Sequence, residues 1–134
     1  MYAKDMIRTA PRPAVVDVER LSQCIEACYD CAQTCSACAD ACLGEDTVRE
    51  LTACISLNEV CADACVTTGA ALSRTVHHGS LPIGALLESC AETCRMCAEE
   101  CERHAAHMEH CRICADACQR CEQACRELLA TIAA

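Results

Sequence analysis

The chain has no phenylalanine and no tryptophan, and Tyr2 and Tyr29 are its only phenolic rings. At 134 residues it has the length of one ordinary domain, yet it lacks the large side chains that fill an ordinary centre. Its hydrophobic fraction of 53% does not make up for this, because 18 of those residues are cysteine and 24 are alanine. No apolar run is long enough to span a bilayer. No Lys/Arg cluster is present to neutralise phosphates, and the formal charge is −9, so nucleic acid and membrane are excluded as partners.

What is present is sulfur in register. Cys24, Cys28, Cys31, Cys35, Cys38 and Cys42 are spaced alternately by four and three, which puts them on one face of an α-helix. The pattern returns at Cys54, Cys61 and Cys65, at Cys90, Cys94, Cys97 and Cys101, and at Cys111, Cys114, Cys118, Cys121 and Cys125. Four helix seams therefore carry thiols where leucine is usual. A disulfide scaffold is the ordinary reading of so much cysteine, and three features oppose it. Met1 to Pro13 has no apolar secretory region, and Arg8 and Arg12 do not form a twin-arginine pair, so a cytoplasmic location with reduced thiols is expected. Thiols three or four apart on a helix have Cβ atoms roughly 5–6 Å apart, beyond disulfide reach. Alanine, glutamate, glutamine and arginine also favour helix almost throughout, whereas disulfide scaffolds are rich in loops.

The expected organisation is an N-terminal tail or short turn over residues 1–16 and a cysteine-rich bundle over 17–134. The first predicted helix runs from about Asp17 to Leu43 and stops at Gly44, a residue suited to a left-handed C-terminal position. Asp46 is the predicted cap of the second, which carries Leu51, Cys54, Asn58, Cys61, Cys65, Thr68 and Leu72 on its seam. Val76 to Pro82 forms the clearest turn, with Ser80 capping the third helix. A break near His104–His110 is implied by phase alone, because the third series reaches His104 and Met108 while the fourth starts independently at His107. Short connections make neighbours antiparallel, so the predicted fold is all-α, an up-down-up-down four-helix bundle with a Cys-lined core. Threading then gathers Leu21, Leu72, Ile83, Leu87 and Leu128 at one end as an apolar plug. Cys42, Cys54, His104, His107 and Met108 gather at the other as a mouth, with Asn58 a turn inside. His77, His78 and His110 are expected to be solvated, as is the acidic run Glu99, Glu100 and Glu102.

So many buried thiolates require neutralising cations. Cu(I) is soft, accepts two or three thiolate or thioether donors, and with bridging sulfurs reaches about one ion per thiolate. Zn(II) prefers four tetrahedral ligands, which would leave each four-thiolate site doubly negative. The stripes CIEACYDCAQTCSACADAC and CRICADACQRCEQAC, in an alanine-rich four-helix chain, resemble the bacterial copper storage proteins over about Leu21 to Leu129. The resemblance implies a non-enzymatic, high-capacity store or buffer of Cu(I), of the cytosolic branch, commonly a homotetramer. It makes all eighteen cysteines copper ligands and His104 and Met108 further donors at the mouth, taking ions from a copper carrier. Asn58 departs from the pattern, since an amide is a poor Cu(I) donor. The alternatives are a zinc-thiolate protein, a thiol redox buffer suggested by the CxxC pairs, and an iron–sulfur carrier, against which the compact C-x2-C-x2-C-x3-C-P run is absent.

Overall fold

The computed structural model describes residues 1–75 and 82–133, whose regular elements are all helices, with no strands among them. Helix α1 spans Ala3–Thr9, α2 Val18–Leu43, α3 Thr52–Thr75, α4 Ile83–Glu102 and α5 Glu109–Ala133. The segment read as a tail thus contains a short helix. It buries Ile7 against α2, and Lys4 and Arg8 reach Glu19 at 2.6 and 3.7 Å. These ion pairs are exposed and contribute little, so the apolar contact holds α1 down.

Helix α2 starts as its sequence requires. The Asp17 side chain accepts a hydrogen bond from the Arg20 amide at 3.1 Å, satisfying one of the free N–H groups of the first turn. Its end differs from expectation. Gly44 has φ −89° and ψ −3°, so it is not left-handed; the helix tightens instead through Gly44 N–H to Ala41 O and Glu45 N–H to Cys42 O. The next helix begins later than Asp46. A 3₁₀ turn at Val48–Glu50 intervenes and delivers Leu51, fully buried, to the start of α3. The predicted turn and the Ser80 cap lie largely in 76–81, outside the described residues, and Pro82 stands at the N-terminal cap of α4 without a side-chain hydrogen bond.

The break between α4 and α5 falls where phase required it. Without glycine or proline, the chain turns through His104 N–H to Cys101 O, His107 N–H to His104 O and Met108 N–H to His104 O, and α5 then starts in its own register. Helix α2 packs against α3 and α5, and α4 packs against the same two, giving a bundle-like arrangement around a cysteine-rich core. Gly69 on α3 permits one close approach: a Cβ there would lie 3.0 Å from the Tyr29 ring and 3.3 Å from Cys28 Cβ. No helix among the described residues is long and apolar enough to cross a membrane.

Candidate metal centre

Each seam directs its sulfur inward. All eighteen cysteines are buried and free of disulfides. As residue numbers rise along α2 they fall along α5: Cys24 meets Cys125 at 3.7 Å, Cys31 meets Cys118 at 3.7 Å and Cys38 meets Cys111 at 3.9 Å. Helices α3 and α4 run against each other in the same way, through Cys54–Cys101 at 3.8 Å, Cys61–Cys94 at 3.7 Å and Cys65–Cys90 at 3.8 Å. Such gaps are far beyond the roughly 2.05 Å of a sulfur–sulfur bond. They approach the separation of two sulfurs sharing one metal, about 3.8 Å for tetrahedral and 4.0 Å for trigonal geometry if each bond is near 2.3 Å.

Distance alone therefore does not choose the metal, and the sharing of thiols between groups favours a cluster of bridged ions over separate sites. The four-thiol groups include Cys28/Cys90/Cys121/Cys125, Cys31/Cys65/Cys94/Cys121, Cys31/Cys35/Cys61/Cys118 and Cys35/Cys97/Cys114/Cys118, with sulfurs in each group within 4.8 Å of one another. Cys31, Cys35, Cys118 and Cys121 each belong to two of them. Independent tetrahedral sites do not share ligands in this way, whereas bridging thiolates do, and bridging suits a monovalent soft ion.

A further group, Cys38/Cys42/Cys54/Cys111, lies towards the mouth. Hydrogen bonds from Cys101 and Cys38 hold the Cys54 thiol down to about 3 against the opposing effect of burial, with His104 also favouring the ion. Its neighbours move the other way. Burial, then the Cys54 charge, pushes Cys42 up to about 11, and burial with Cys54 and Cys42 pushes Cys111 up to about 12.

The predicted additional donors are distributed unevenly. His104 is half-buried, and its Nε2 lies 2.9 Å from Glu100 Oε2. Met108 packs partly buried against the core, while His107 is exposed. His110 corrects the expectation of a solvated ring. Its Nδ1 lies 3.4 Å from Cys38 Sγ and 3.6 Å from Cys111 Sγ, while Nε2 lies 3.0 Å from Glu45 Oε2. The signal for it was in the sequence, since His110 precedes Cys114 by four and shares its side of α5. Glu100 likewise leaves the solvated acidic run, its side chain being only 11% exposed. His77 and His78 lie outside the described residues.

The opposite end is closed by hydrocarbon. Leu21 and Leu128 sit one turn beyond the Cys24–Cys125 pair, and Leu72, Leu87 and Ile83 lie beyond Cys65–Cys90; all five are buried. Asn58 is a polar residue within the column, fully buried on α3 between Cys54 and Cys61, and Thr68 is buried a turn beyond Cys65.

The chain matches the copper storage protein family over residues 17–130. It is similar to the copper storage protein Ccsp of Streptomyces lividans loaded with ten copper equivalents, at 52% identity and TM-score 0.91, over 96% of this chain and 98% of that one. The same Streptomyces protein with five coppers, described as cytosolic, is 54% identical with TM-score 0.81 over 84% and 93% of the two chains. Cu(I)-bound copper storage protein BsCsp3, the Bacillus subtilis protein, is 36% identical with TM-score 0.68 over 78% and 93%. Sulfur seams, shared thiol groups and these likenesses agree, and the chain belongs to the copper storage protein family.

Proposed function

We propose that the chain is a high-capacity store and buffer for Cu(I), with the metal as cargo rather than catalyst. The observation that carries this reading is the sharing of Cys31, Cys35, Cys118 and Cys121 between neighbouring four-thiol groups. Each copper that enters replaces thiol protons, which pass to solvent, so at about one copper per thiolate the filled interior stays nearly uncharged. The reading takes all eighteen cysteines as ligands and His104 and Met108, now with His110, as donors that accept copper from a carrier at the mouth. Imidazole and thioether can bind before a thiol proton leaves.

The finer architecture belongs to this proposal as well. Sulfur pairs running in opposite senses support an up-down-up-down arrangement of α2, α3, α4 and α5, a storage unit over 17–134 with residues 1–16 as an appendage. A cytoplasmic location is supported by the Streptomyces relative described as cytosolic. Assembly as a homotetramer and the absence of enzymatic activity complete the reading.

Anaerobic titration of the reduced chain with Cu(I), followed by elemental analysis, is the test. Saturation near one copper per cysteine is expected. Saturation near four metals would mean separate tetrahedral sites and end the high-capacity reading. Circular dichroism of the metal-free chain should already be helical, because alanine-rich propensity and neutral thiols sustain the bundle.

A further inference from the structure

Thr68 lies on the α3 seam three residues after Cys65 and is only 2% exposed. A threonine inside a helix ordinarily bonds back to a carbonyl of the preceding turn, as Thr34 does to Asp30 O and Thr93 to Ser89 O, both at 2.7 Å. The Thr68 hydroxyl has no hydrogen-bond partner among the described residues. It lines a groove of about 310 Å³ between α3 and α4, together with Cys90, and Asp63, Thr67, Ser89 and Thr93 give that groove a polar rim. A water takes up roughly 30 Å³ of liquid volume, so a short file of them fits. A buried hydroxyl left unpaired is costly, and water is the partner within reach. Cys90 lies 3.8 Å from Cys65 and shares a four-thiol group with Cys28, Cys121 and Cys125, at the deep end of the column.

We propose that Thr68 and this groove form a side vent for protons: water held by the Thr68 hydroxyl carries off the protons that the deep thiols give up as copper reaches them. This deepens the storage reading and rests on it. When Cu(I) binds Cys90, a sulfur–copper bond forms, the S–H bond breaks and its proton passes to water; no electron is transferred. Unless a proton leaves for each thiol bound, charge accumulates in the interior. The leucine end offers that proton no acceptor. The way to the mouth leads back past cations held in common by Cys31, Cys35 and Cys118, and like charges in a dry interior repel strongly. The groove crosses only the wall between α3 and α4. That wall carries no ion pair across it among the described residues, whereas Arg126–Glu92 ties α5 to α4 and Arg120–Asp30 ties α5 to α2. A hydroxyl there can accept one proton while donating its own, so Thr68 acts through water and binds no copper.

The experiment is anaerobic stopped-flow transfer from a Cu(I)–chelator complex to the full chain in weak buffer, with a pH indicator reporting proton release alongside copper uptake. Thr68→Val keeps the shape and removes the hydroxyl. One phase of uptake, and the proton release that accompanies it, should slow severalfold at unchanged capacity, while melting of the metal-free chain does not fall. Thr68→Ser restores a hydroxyl and should restore the native rates, which a purely structural role would not require. Ser89→Leu, on the exposed rim, obstructs the groove from outside and should slow the same phase with Thr68 in place. If Thr68→Val fails to fold, Ser89→Leu decides alone. Native rates in either folded variant, at native capacity, overturn the vent while leaving storage intact. Low total capacity in every protein, the native chain included, would instead sink the storage reading itself.

Discussion

Truncating Leu128 to alanine should lower stability without altering copper uptake. Leu128 has no exposed surface and sits one turn past Cys125, in the plug with Leu21, Leu72 and Leu87. Loss of its apolar carbons costs about 0.8 kcal/mol per methylene. The neighbouring leucines are fixed on helices, so much of the void should remain, and the total loss is about 2–5 kcal/mol. A chain of this length has about 7–20 kcal/mol in all, so the variant should still fold, with its metal-free melting temperature lowered by about 7–18 °C. The assay pairs thermal melting of the metal-free chain with stopped-flow transfer from a Cu(I)–chelator complex. The double variant His104→Ala, Met108→Ala is the counterpart: uptake severalfold slower, melting nearly unchanged and capacity only slightly reduced, since most ligands lie deeper. Faster uptake in Leu128→Ala, with unchanged uptake in the mouth variant, would show that copper passes through the leucine end.

Glu45→Ala should free the His110 ring from its 3.0 Å carboxylate partner, changing the imidazole nitrogen NMR signature, whereas Glu45→Gln should largely preserve it; identical spectra in all three proteins would refute the pairing. Acidification should release copper from the mouth, because Cys42 and Cys111, raised to about 11 and about 12, hold their protons at neutral pH and must lose them to bind. Affinity there should fall by about tenfold per pH unit for each proton displaced, and equal partition to a chelator at pH values of about 8 and 6, corrected for the chelator's own protonation, would contradict this. Gly69→Ala gains about 1 kcal/mol of helix propensity but forces a Cβ to 3.0 Å from Tyr29 and 3.3 Å from Cys28 Cβ. Overpacking costs about 1–3 kcal/mol, so melting should show net destabilisation of up to about 2 kcal/mol, relieved in a Tyr29→Ala background; a more stable single variant would show that the approach is not tight.

The seams were legible because the helical period is the only one that puts Cys24 to Cys42 on one face, and burying that face fixes everything facing it. The break at 103–108 was legible for the same reason, although no helix-breaking residue marks it. Local backbone choices were not. Gly44 is permitted a left-handed turn but not obliged to take one, and burial of Leu51 at the start of α3 outweighed the capping preference of Asp46. The side of α5 that His110 takes follows from its spacing to Cys114, but its pairing with Glu45, sixty-five residues away in the chain, is one that periodicity cannot register. α1 is held by Ile7 against α2, and one buried side chain leaves no repeat to read.

A tube closed by leucine at one end can be filled only if ions travel along it. The overlap of thiol groups at Cys31, Cys35, Cys118 and Cys121 supplies the means, because an ion held by one group already touches a sulfur of the next. It can migrate by exchanging one ligand at a time, never passing through a bare or hydrated state. The interior therefore works as a ladder whose rungs are held in common. Removing a common rung should slow transport beyond it, whereas removing a thiol belonging to one group should cost only the seat it provides.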